Sequence, residues 1–83
     1  MLNCDDIIIM FGTPHRALKA EKLLKKAELP ITLIPAPAGL AEGCGLAIRF
    51  TAEMHQTVLE VLASADLKPA RTFCQTSAGI QSI

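Results

Sequence analysis

A cysteine set between two glycines, Gly43-Cys44-Gly45, is the part of this sequence best suited to chemistry. The glycines leave the sulfur little steric cover and let backbone amides approach it. A thiol so placed is a candidate nucleophile, or a carrier of a transferable sulfur atom, if nearby groups raise its thiolate fraction. A small residue packed into a turn is the plainer alternative, since cysteine is more often buried and inert than reactive. Cys4 and Cys74 lie far from Cys44 in the chain. They could be neighbours across two paired strands, but they read as ordinary strand residues. Three widely spaced cysteines with no CxxC pair argue against a secreted disulfide scaffold, a zinc ribbon and a thioredoxin-type motif. Reduced thiols in the cytoplasm are the simplest expectation. His15 and His55 are too sparse to complete a metal site, so neither a metal nor another cofactor is expected.

The elements that must position Cys44 are legible in the hydropathy pattern. Ile7-Ile8-Ile9-Met10-Phe11 is a continuous apolar run ending at Gly12, as in a strand buried on both faces. Thr13 is a good helix cap and Pro14 suits the first helical position. Ala17, Ala20, Leu24 and Ala27 then recur at helical spacing. Lys19, Lys22, Lys25 and Lys26 populate other faces, and Pro30 ends the helix. Ile31-Thr32-Leu33-Ile34 is a second strand, suited to an edge by Pro35 and Pro37. Leu46-Ala47-Ile48-Arg49-Phe50 is a third. Thr51 can cap a second helix with Met54, Val58, Val61, Leu62 and Ala65 as its apolar stripe. Arg71-Thr72-Phe73-Cys74-Gln75 is a short fourth strand, and the tail from Thr76 to Ile83 is expected to fray.

The order βαββαβ with right-handed crossovers predicts an α+β, ferredoxin-like fold. Its four-stranded antiparallel sheet would have the spatial order 4-1-3-2, with two helices on one face. The 83 residues make a single domain, 1–83, with a core over about 5–76. Apolar residues make up 51% of the chain, but Trp and Tyr are absent, so the core must come from aliphatic side chains. Eight basic residues balance eight acidic ones, which gives no general attraction to nucleic acid or to a membrane. No stretch approaches the length of a membrane span, and Met1 to Asp6 lacks the basic character of a signal peptide. Neutral charge and an apolar second sheet face predict a homo-oligomer formed through that face, the alternative being that the tail folds over it.

In this topology the turn between the second and third strands lies at the same end as the start of the first helix. Lys68 and Arg71 arrive there too. Cys44 is thereby expected near Thr13, His15 and Arg16 and the free N–H groups of the helix, all of which favour a thiolate. Glu42 opposes it. His15 reads as an exposed first-turn residue rather than a partner of Cys44. The lysines of the first helix could form a docking face for an acidic partner, although a solvated face is commoner.

The segments Phe11 to Leu24, Leu33-Ile34-Pro35-Ala36-Pro37 and Gly43-Cys44-Gly45-Leu46-Ala47-Ile48 resemble a family of small bacterial domains described as selenium/sulfur carrier-like. The resemblance covers roughly residues 7 to 66. In that family a basic residue often follows Pro-x-Pro, and a serine often stands three residues before the cysteine. This sequence has Ala38 and Ala41 there. The resemblance implies that Cys44 accepts sulfur or selenium as a persulfide or selenosulfide and passes it to a partner enzyme. The partners implied are donor and acceptor proteins. The alternatives are a non-catalytic interaction or regulatory module that oligomerises through its sheet face, and a redox-sensing thiol.

Overall fold

A computed structural model describes residues 4–36 and 45–83. Its elements are β1 (Asp6–Met10), α1 (Pro14–Lys26), β2 (Thr32–Pro35), β3 (Leu46–Thr51), α2 (His55–Ser64), β4 (Arg71–Thr76) and β5 (Gly79–Ser82). Every pairing in the sheet is antiparallel, and the strand order is β2-β3-β1-β4-β5. The first four strands therefore stand in the expected order. The four-stranded sheet is corrected to five, because the tail adds a strand to the free edge of β4 instead of fraying.

That fifth strand closes through a tight hairpin. Thr76 pairs with Gly79 across the two-residue turn Ser77-Ala78. Gly79 takes φ +130°, a conformation L side chains rarely adopt. The Ala78 N–H donates to Thr76 Oγ1 at 3.1 Å, and the Ile83 N–H donates to the Thr72 carbonyl at 3.0 Å.

Alternation along β1 divides the core into two. Ile7, Ile9 and Phe11 pack with Ile48 and Phe50 of β3 and with Ala17, Ala20, Leu24, Val58 and Leu62 of the helices. Both helices therefore cover one face of the sheet. Ile8 and Met10 point the other way and cluster with Ala47 and Phe73, flanked by Ile34 and Ala36. These four buried residues are only 2%, 3%, 0% and 3% exposed within a single chain. The Arg71 guanidinium lies 5.4 Å from the centre of the Phe73 ring. Among the described residues, the second face thus leaves these four apolar side chains covered. The large exposed hydrophobics among the described residues are Leu18, Ile80 and Ile83.

Helix α1 starts as its sequence dictates. Thr13 is extended (φ −141°, ψ 152°), and its hydroxyl oxygen accepts from the Arg16 N–H at 3.2 Å. Its end differs from expectation. Pro30 is not the terminator; Glu28 takes φ 62°, its N–H donates to the Lys25 carbonyl, and the Leu29 N–H donates back to Leu24. Helix α2 ends the same way: Asp66 takes φ 56°, its N–H donates to Ala63, and the Leu67 N–H donates to Leu62. Both are Schellman closures with a carboxylate residue where glycine is usual, each locked by a leucine packed on the core. At the other end of α2, Thr51 makes no side-chain capping bond. A 3₁₀ turn over Ala52–Met54 intervenes before the helix begins.

Candidate functional site

Gly43 and Cys44 lie outside the described residues, which resume at Gly45. The base of the loop that carries them is well defined. Pro35 pairs with Leu46, and the Ala36 N–H donates to the Gly45 carbonyl at 2.9 Å. On the other side of β3, Ala47 pairs with Met10. Two residues further along the same register bring Gly45 level with Gly12, immediately before the cap of α1. A Cβ built at either glycine would meet nothing within 4 Å. Arg71 pairs with Met10 from the opposite side, and the Ala70 N–H donates to the Met10 carbonyl at 2.8 Å. The loop base, the start of α1 and the first residue of β4 therefore gather at one end of the sheet.

The other expected site residues sit at that end in different roles. The Thr13 hydroxyl is engaged in capping α1. Arg16 is exposed one turn into the helix. His15 is also exposed and lines a surface depression with Leu18, Lys19, Glu21 and Lys22 on the outer side of α1. Among the described residues, no group of three or more His, Cys, Asp or Glu side chains could hold a metal ion.

Cys4 and Cys74 are joined by a disulfide, with Cα atoms 5.4 Å apart. This corrects the expectation of two ordinary strand residues and of three reduced thiols. Cys74 pairs with Ile7 in the β1–β4 ladder. A straight continuation of β1 would carry Cys4 three residues, about 10 Å, beyond that level. Asp5 forms a bend instead, its N–H held by the Gln75 carbonyl at 3.0 Å, and the chain doubles back onto the helix-side core. The topology made the two strands neighbours. The bend that removes the register offset has no sequence signal of its own. Of the three cysteines, Cys44 is the one outside this bond.

The fold defines a small α+β domain: one open antiparallel sheet, two helices on one face, and a β2–β3 connection whose described end, Gly45, lies beside the start of the first helix. The chain belongs to the family described as Putative Se/S carrier protein-like, whose model matches residues 6–74. The matched region includes the Gly43-Cys44-Gly45 loop and Cys74 but not Cys4. No curated protein and no solved structure matches the chain. Among the described residues, no helix is long and apolar enough to cross a membrane.

Proposed function

We propose that this chain carries a sulfur or selenium atom on Cys44 between a donor and an acceptor protein. The observation that carries this reading is that the Cys4–Cys74 bond occupies the other two cysteines of a chain in a selenium/sulfur carrier-like family. The remaining thiol is the glycine-flanked one. In loading, the Cys44 thiolate attacks the outer sulfur of a donor persulfide. A new S–S bond forms at Cys44, the donor's own S–S bond breaks, and the electron pair leaves with the donor thiolate. Unloading is the same exchange onto an acceptor thiolate. Neither step needs an external oxidant, reductant or acid–base pair. A selenosulfide follows the same route with selenium as the transferred atom. Gly43 and Gly45 give the incoming sulfur an approach to Cys44. Thr13, His15 and Arg16 are the polar and basic groups at the adjoining helix start that favour a thiolate. The disulfide withdraws the argument for a cytoplasmic location that rested on reduced cysteines.

The test is intact-mass analysis after incubation with a cysteine desulfurase and cysteine. The expected result is a mass gain of one sulfur atom, reversed by reductant and absent in Cys44→Ser. A gain that persists in Cys44→Ser, or none in the wild type, refutes the assignment.

A further inference from the structure

Helix α1 concentrates the positive charge of a molecule that is neutral overall. Five of the eight basic residues, Arg16, Lys19, Lys22, Lys25 and Lys26, fall in its thirteen positions, against one carboxylate. That carboxylate, Glu21, is spent on Lys25 at 3.2 Å. Among the described residues no carboxylate pairs with Lys19, Lys22 or Lys26. Glu28 and Asp66 stand in the turns that follow the two helices, but along α1 itself the lysines outnumber the single carboxylate, and that face is left cationic.

The same lysines rim an apolar depression. Leu23 of α1 meets Ala65 and Leu67 from the end of α2 in a groove of about 220 Å³, edged by Lys19, Lys22 and Lys26. A second depression of about 490 Å³ adjoins it along the helix and shares Lys19 and Lys22. Leu18 lies in this second depression and is 44% exposed. Leucines 18 and 23 and lysines 19, 22 and 26 recur at the three- and four-residue spacing of one helix face. The result is a concave apolar strip between cationic edges.

We propose that this face of α1 is a docking surface for a partner protein, and that it takes an acidic segment with an apolar anchor side chain flanked by Asp or Glu. Charge complementarity selects the sign of the partner, and the depth of the groove selects the anchor. A flat anionic membrane fits less well. Surface insertion needs a broad exposed apolar stripe, and here Leu23 and Ala65 are only partly exposed and Leu67 is buried, leaving Leu18 as the exposed leucine of α1. The second depression reaches His15, but the groove is lined by Lys19 and later residues of α1 and by the end of α2, and the docking role does not depend on what Cys44 carries.

The experiment is an amide-resolved NMR titration of the ¹⁵N-labelled chain with a synthetic peptide carrying one leucine between pairs of glutamates. Parallel titrations use a peptide with serine for leucine and one with lysine for glutamate. The expected result is saturable shifts confined to α1 and the Ala65–Leu67 turn, stronger at low salt, weaker with the serine peptide and absent with the lysine peptide. Lys19→Glu/Lys22→Glu changes two exposed positions and should weaken binding about tenfold with the fold intact by circular dichroism. Four results overturn the proposal: no saturable response, shifts centred on β5 or β2, equal binding of the lysine peptide, or binding only to vesicles rich in phosphatidylserine. None of these depends on sulfur loading, so this proposal and the carrier assignment can fail separately.

Discussion

Removing the Cys4–Cys74 crosslink by Cys4→Ser isolates its contribution with little collateral damage. Cys4 is half-buried, while Cys74 is 0% exposed. Replacing the outer partner leaves the inner one as a free thiol, which behaves as a small apolar side chain and needs no new hydrogen bond. The bond spans a sequence separation of 70. Loop-closure entropy for a ring of that length comes to about 4 kcal/mol, and measured effects commonly run at about 2–4 kcal/mol. A domain of this size has a total stability of about 4–12 kcal/mol, so the crosslink is about a sixth of it or more. Urea unfolding of oxidised wild type, reduced wild type and Cys4→Ser gives the measurement. The variant and the reduced protein should share a lowered midpoint, with melting temperature down by on the order of 10–20 °C. Their denaturant dependence should steepen, because the released unfolded chain exposes more surface. If oxidised and reduced wild type unfold at one midpoint, or alkylation without reductant finds three free thiols, the reasoning is wrong.

Two further outcomes concern the helix ends. Glu28→Gly and Asp66→Gly each replace a side chain held in the left-handed region (φ 62° and 56°) and should each stabilise by about 0.5–1 kcal/mol in the same urea assay. The double variant should be additive, since the two turns close different helices. Thr13→Ala removes the acceptor for the Arg16 N–H and should cost about 1 kcal/mol, with fraying at the start of α1 visible as faster amide exchange at Ala17 and its neighbours.

What the sequence revealed of the fold follows from how strongly each element is specified. The run Ile7 to Phe11 is apolar at every position, so it had to be a central strand with both faces covered, and it is. Pro35 marked β2 as an edge, which it is. Thr13-Pro14 located the start of α1 to the residue. The failures share a cause: they lie where local pattern is weak and tertiary context decides. Segment 76–83 has only small and polar residues around two isoleucines, and its turn lacks an Asn-Gly signal. Only the free edge of β4 recruits it as β5. Glu28 and Asp66 do the work of glycine because Leu29 and Leu67 anchor the chain beyond them, a contact that composition does not announce. What covers the second sheet face was left open, because alternation gives direction but not cover.

The site was legible as an address more than as an arrangement. Strand order and crossover handedness put the base of the Cys44 loop beside the start of α1, and the pairings Pro35–Leu46 and Met10–Ala47 hold Gly45 at that end. The unforeseen disulfide then separates two kinds of cysteine chemistry. Cys74 and Phe50 both pair with Ile7, so the crosslink lies at the level of Phe50 on β3. Gly45, the residue bonded to Cys44, is five residues further along that strand, about 16 Å away. Thiol–disulfide exchange requires the attacking sulfur in contact with the bond it breaks. The crosslink and Gly45, the described residue bonded to Cys44, therefore lie toward opposite ends of β3.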